Sequence, residues 1–182
     1  MGYAGGTIAN PTYYRMGDHT ETFQVDFDPT VISYANILRL FWQSHNPQRK
    51  AWSRQYMAVI LYHKEAQREQ AEQSKAALKT TIGRSVKTKI LPLTQFYLAE
   101  DYHQKYRLQN TTLLEEVKTI YPHMRDWVDS TAAARLNGYL SGYGIAETFA
   151  TDIEQLGLSM DGKLLLQKLV GRQGASLTCP VR

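Results

Sequence analysis

Strand-forming pattern is scarce in this chain and confined to its first half, and this limits the available folds more than any other feature. The stretch "TFQVDFDP" alternates Phe23, Val25 and Phe27 with Gln24 and Asp26 until Pro29 stops it, which reads as a half-buried strand over residues 21–28. "RQYMAVILYH" (Arg54 to His63) is a short apolar run with polar flanks, the pattern of a strand buried on both faces, and "VKTKILPL" (Val86 to Leu93) reads as a third strand. Helices separate them. "TVISYANILRLFWQSHNP" puts Ile37, Leu38, Leu40 and Phe41 on one helical face, with Thr30 or Ser33 as cap and Pro47 closing the segment. "KEAQREQAEQSKAALKT" (Lys64 to Thr80) is rich in helix formers with a charged outer face.

A short helix is expected over Ala99 to Gln109, and beyond Thr111 the pattern is helical, with breaks near Pro122 and Gly138. "AETFATDIEQLGL" and "DGKLLLQKLVGR" read as two further helices. Strands separated by helices of this length give an α+β fold, a two-layer sandwich with a mixed, ferredoxin-like sheet, followed by a helical C-terminal extension. Three short strands make a thin sheet for 182 residues, which points to something missing from the fold.

The bulk properties exclude several classes. With 43% hydrophobic residues the chain can bury one good core. Its 21 basic and 17 acidic residues are interspersed, with no alternation of cations and stacking aromatics, so nucleic-acid binding is not expected. No run approaches the roughly 18 apolar residues of a membrane span, and Met1-Gly2-Tyr3 lacks the pattern of a signal peptide. A cytoplasmic or other reducing compartment is expected, and a monomer. The single cysteine, Cys179, cannot form an internal disulfide, and the five histidines show no zinc-ligand spacing, so neither metal nor cofactor is expected.

Two features invite a catalytic reading and lose it on inspection. Gly5 and Gly6 in "GYAGGT" have neither a Walker lysine nor a G-x-G-x-x-G spacing, so a backbone turn that brings Tyr13 near a pocket is preferred to a phosphate cradle. His103 in "EDYHQKY" has no serine or cysteine nucleophile beside it in any recognisable motif, and reads as a structural histidine.

The blocks "GYAGGT.ANPTY", "HTE....VDFDP", "ISY..IL.LFW..H.P", "QY...I.YH" and "FY.AEDYHQKY" follow one another from Gly2 to about Tyr106, with a weaker echo at "NGYLSG". In this order and spacing the chain resembles the peptide methionine sulfoxide reductase A family. The resemblance implies an α+β two-layer sandwich and reduction of the S epimer of methionine sulfoxide in proteins, by a cysteine nucleophile that thioredoxin restores. It also assigns roles. Glu21, in "DHTE", matches the family's acid, and Tyr13 of "NPTY" and Tyr56 of "RQYMAVI" match two tyrosines that bind the sulfoxide oxygen. On sequence chemistry alone Glu21 is an ordinary exposed carboxylate, and in a chain with twelve tyrosines both phenols are ordinary packing residues.

The chain also departs from the family's pattern. No "GCFWG" stands in this sequence, the motif that carries the nucleophile and a Phe-Trp platform for the substrate methyl group. The family's aspartate before Tyr56 falls at Ala51, and Leu140 in "NGYLSG" takes the place of a resolving cysteine. "SLTCPVR" resembles the family's terminal "SCP", which makes Cys179 at best a recycling cysteine. The expectation is therefore a reductase-like domain over residues 1–140, incomplete at its N-terminus, with a helical extension over 141–182 and little or no activity of its own. Its partners would be proteins carrying methionine S-sulfoxide, with thioredoxin as reductant. The alternative is a non-catalytic binding protein that keeps part of the sulfoxide pocket and uses its helical tail to engage a partner.

Overall fold

The computed structural model describes residues 1–172, and the chain forms two compact units, Met1–Glu100 and a second from Asp101 onward. The first unit holds the strands: β1 (Gly2–Ala4), β2 (Thr20–Thr22), α1 (Tyr34–Gln43), β3 (Val59–Tyr62), α2 (Glu65–Ile82), β4 (Lys89–Pro92) and β5 (Phe96–Leu98). They form two small sheets. In one, β1 lies between β2 and β5, antiparallel to both, with Tyr3 opposite Glu21 on one side and Tyr97 on the other. In the other, β3 and β4 run parallel, Ile60 opposite Ile90, with α2 as the connecting helix that a parallel pair requires.

Local chemistry sets the helix ends. The Ser33 side chain accepts from the Asn36 amide at 3.2 Å and starts α1, and the chain leaves α2 through Gly83 in the left-handed conformation (φ 64°). Leu38 and Trp42 of α1 are buried with Ile60 and Ala71, and the Trp42 indole donates to Ser74 Oγ on α2 at 2.9 Å. That bond satisfies the only polar atom the indole brings into the core.

The α+β reading holds, with the mixed strand directions divided between two sheets. Individual strands are shorter than expected. The strand expected over residues 21–28 ends at Thr22, where its pairing with β1 ends. Phe23, Val25 and Phe27 have no ladder partner among the described residues, and the expected alternation of burial is absent, since Phe23 (65% exposed) and Val25 are as open as Gln24 and Asp26. The runs at Arg54–His63 and Val86–Leu93 pair only over β3 and β4. β1 and β5, three residues each, are too short to show a period and were not anticipated. The helix expected over Ala99–Gln109 divides into a 3₁₀ turn, Asp101–His103, and α3 (Tyr106–Gln109), because Lys105 between them adopts φ 45°.

The second unit is helical: after α3 come α4 (Leu113–Ile120), α5 (Met124–Asp129), α6 (Thr131–Tyr139), α7 (Ala146–Asp152) and α8 (Met160–Arg172). Leu113 and Val117 of α4, Trp127, Leu136, Ile153 and Leu166 of α8 share one buried core. Glu116 ties α4 to the start of α8 by accepting from the Ser159 amide at 2.8 Å and its hydroxyl at 2.9 Å. The Tyr139 hydroxyl donates to Asp152, and burial together with that carboxylate pushes its pKa up to about 12. Leu140, where the resemblance has a cysteine, is buried in the same core.

Candidate functional site

Glu21 sits in the middle of β2 and is half-buried. The segment before β3 is laid against β2 by three contacts. The Glu21 amide donates to the Gln55 carbonyl at 3.0 Å, the Thr20 hydroxyl donates to the Arg54 carbonyl at 2.9 Å, and the Gln55 side-chain amide donates to Glu21 Oε1 at 2.7 Å. The same Nε2 lies 3.0 Å from the Tyr56 hydroxyl. One amide group thus joins the acid to one of the two tyrosines.

Tyr13 belongs to the loop between β1 and β2, where the Tyr13 amide donates to Glu100 Oε1 at 2.9 Å. Partial desolvation, the charge of Glu21 and the phenol of Tyr13 together raise the Tyr56 pKa above the ordinary tyrosine value. Tyr56 therefore stands within electrostatic reach of both Glu21 and Tyr13, although each lies 35 or more positions away in the sequence. Both phenols keep solvent access, Tyr13 at 40% and Tyr56 at 46% exposure. The Trp52 ring stands 5.0 Å from that of Tyr56 and is 77% exposed. Ala51 offers only a methyl group where the resemblance has a carboxylate.

The glycine-rich loop is held from the β2 side. His19 is almost wholly buried; its Nδ1 accepts from the Gly6 amide at 3.2 Å and its Nε2 faces the Ile8 carbonyl at 2.8 Å. A backbone amide only donates and a carbonyl only accepts, so the ring is neutral with its proton on Nε2. Asp18 accepts from the Thr7 amide at 2.7 Å, which is the first cause of its lowered pKa. Arg54 donates to the Gly5 carbonyl at 2.7 Å and lies 3.9 Å from Asp18. A Cβ on Gly6 would stand 2.6 Å from Asp18 Oδ1 and 2.7 Å from the His19 ring, which accounts for the glycine without any phosphate.

Beside Glu21 opens an apolar cleft of about 290 Å³, lined among others by Phe23, Phe27, Tyr34, Phe41, Leu61 and Phe96. Of the residues named from sequence, Glu21 and Tyr56 meet at Gln55, and Tyr13 lies near enough that its phenolate disfavours ionisation of Tyr56. Cys179 lies outside the described residues. His103 falls in the second unit. Gln55 and His19 stand in the blocks "QY...I.YH" and "HTE....VDFDP" but receive no role from them, and their contacts are what single them out.

A carboxyl group at an apolar cleft, with the Tyr56 phenol joined to it through the Gln55 amide, on small sheets backed by helices, defines a mixed α+β class of protein with a polar group at the edge of an apolar cleft. Within that class the chain belongs to the peptide methionine sulfoxide reductase family, whose model matches residues 1–135. It is 42% identical over 161 residues to a peptide methionine sulfoxide reductase of Drosophila melanogaster, covering 87% of this chain and 65% of that protein. It is 40% identical over 117 residues to the peptide methionine sulfoxide reductase MsrA of Methanosarcina acetivorans, covering 58% of this chain and 62% of that one. The crystal structure of Mxr1 from Saccharomyces cerevisiae in reduced form superposes with a TM-score of 0.57 at 27% identity, over 60% of this chain and 68% of that one. The chain thus spans less than two thirds of the length of these two curated relatives.

Proposed function

We propose that this chain supplies the oxygen-binding and proton-donating part of a peptide methionine S-sulfoxide reductase. In the net reaction a cysteine thiol takes the oxygen of the sulfoxide: the S–O bond breaks, the thiol sulfur is oxidised to a sulfenic acid, and the methionine sulfur is reduced to the thioether. A thioredoxin-type dithiol then returns the sulfenic acid to thiol, becoming a disulfide and releasing water. Charge gathers on the sulfoxide oxygen during the transfer, which calls for an acid to protonate it and hydroxyl groups to hold it. Glu21 is the acid, Tyr13 and Tyr56 the hydroxyl donors, and oxidised proteins the substrates, in a reducing compartment such as the cytoplasm.

The observation that carries this reading is the shared amide of Gln55, which brings Glu21 and Tyr56 to one point from separate parts of the sequence. The family match ends at residue 135, whereas the similarity to the Drosophila reductase covers 87% of the chain and therefore continues past residue 141, so the extension over 141–182 is proposed as a region shared with some relatives.

The only cysteine in the 182 residues is Cys179, and it does not stand in a "GCFWG"-type motif, which carries the nucleophile in the resemblance. The 182-residue polypeptide alone is therefore expected to bind a methionine S-sulfoxide peptide without reducing it. Calorimetric titration with the S-sulfoxide, the R-sulfoxide and the unoxidised peptide checks the first part, with binding of the S-sulfoxide lost in Glu21→Ala. Incubation with dithiothreitol and quantification of methionine checks the second, and turnover abolished by Cys179→Ser would overturn it. Equal affinity for all three peptides would remove the basis for the sulfoxide assignment.

A further inference from the structure

The role of Gln55 goes beyond bringing two residues together, because its hydrogen bonds have a direction. The carboxylate of Glu21, when ionised, only accepts, so the group 2.7 Å from Oε1 must be the Gln55 NH₂ and not its carbonyl oxygen. That NH₂ has two protons. One goes to Glu21, and the other points to the Tyr56 oxygen at 3.0 Å. Tyr56 is thus an acceptor toward Gln55, and its own proton is left for a group outside the pair. The reversed amide would place a carbonyl lone pair against the carboxylate and turn the Tyr56 proton inward.

The same reasoning applies to Glu21 in its acid form. With Oε1 accepting from Gln55, the carboxyl proton belongs on Oε2. The backbone that carries the amide is held in place, since the main-chain carbonyl of Gln55 accepts from the main-chain amide of Glu21 at 3.0 Å and the main-chain carbonyl of Arg54 accepts from the Thr20 hydroxyl at 2.9 Å. The other charged and titratable groups nearby do not compete for the side-chain amide. Arg54 turns to the Gly5 carbonyl and Asp18, the Tyr13 amide is bound to Glu100, and Trp52 meets the Tyr56 ring.

We propose that Gln55 is a positioning residue that sets the polarity of the site, directing the protons of Glu21 and Tyr56 outward together so that the site selects an oxygen that only accepts. A sulfoxide oxygen is such an acceptor, and a hydroxyl is a poorer match because its own proton meets another donor. The selection of ligand rests on the sulfoxide reading above; the polarity of the amide does not.

The test uses the full chain in two arms. In the free protein, the ¹⁵N resonance of the Gln55 side-chain amide should move with the titration of the Glu21 carboxyl carbon, and this movement should vanish in Glu21→Gln. Gln55→Met, which keeps the length and removes the donor, should raise the pKa of Tyr56 further, because an N–H donor stabilises the phenolate. In the second arm, Gln55→Met should weaken binding of a methionine S-sulfoxide peptide by about tenfold, the size of a hydrogen bond to a charged group, and Gln55→Asn should recover less than the wild-type affinity. An amide resonance indifferent to the titration of Glu21 overturns the proposal, and needs no variant of Gln55 to fold. So does a folded Gln55→Met with an unchanged titration of Tyr56. Wild-type protein that shows the coupled titration yet binds no sulfoxide would leave the polarity standing and remove the function proposed for it.

Discussion

At the scale of single residues, the loop between β1 and β2 depends on charge more than the site it supports. Asp18 holds the Thr7 amide and hydroxyl at 2.7 and 3.2 Å, and its pKa in the folded chain lies below the ordinary carboxylate value, chiefly because of the Thr7 amide. A lowered folded pKa means that the unfolded chain binds the proton more readily, so acid favours unfolding. The contribution is complete above about pH 4, the unfolded carboxylate range, and is lost as the pH falls through the lower folded pKa. Urea unfolding at pH 6 and pH 3 should show a smaller loss of stability in Asp18→Asn than in the wild type over that interval. The same scale shows what the sequence could and could not reveal. Glu21, Tyr13 and Tyr56 are unremarkable by composition and are found only through the order of the motifs around them. Gln55 falls in one of those motifs but receives no role from it, since its importance lies in a distance to Glu21, 34 residues away.

At the scale of elements, the sequence carries pattern but not pairing. Alternation over Phe23–Phe27 is plain in the sequence, yet a strand exists only where a second strand offers its amides and carbonyls, and β1 ends its pairing at Thr22. The helices were more legible because their hydrogen bonds close locally: Ser33 as the cap of α1 and the helix after Lys64 stand within two residues of their expected ends. Lys105 shows the limit of that reading, for its positive φ divides a periodic stretch without any glycine or proline to announce it. Two glycines test how far local conformation decides stability. Gly83 ends α2 at φ 64° in open space, so Gly83→Ala meets no clash but loses about 1 kcal/mol to the left-handed backbone. Gly138 lies within α6 with helical backbone and equally open space, so Gly138→Ala gains about 0.5–1 kcal/mol. Thermal unfolding of the two variants should shift in opposite directions, and shifts of one sign would show that tertiary packing rather than φ governs both positions.

For the whole molecule, the division into two units separates the groups that would meet a ligand from much of the apolar core. Tyr13, Glu21, Gln55 and Tyr56 all lie in the first unit, whereas Leu136, with no solvent exposure, belongs to the core of the second. Stability and binding should therefore respond to different substitutions. Leu136→Ala removes three buried carbons and should cost about 2–5 kcal/mol, depending on how far the core relaxes. Glu21→Gln retains the acceptor that faces Gln55 and should change stability by no more than about 0.5 kcal/mol, while it removes the acidic proton from the site. The three tryptophans allow the units to be followed separately, since Trp42 and Trp52 report on the first and Trp127 on the second. In denaturant, single-tryptophan variants carrying Leu136→Ala should show the Trp127 transition moving to lower concentration. If the Trp42 transition moves with it by the same amount, the chain unfolds as one cooperative structure; if it stays, each unit has a stability of its own. In both cases, under conditions where the protein is fully folded, the Leu136 variant should bind a methionine S-sulfoxide peptide as the wild type does and the Glu21 variant should not. Loss of binding in Leu136→Ala at full folding would place a requirement for the second unit within the site itself.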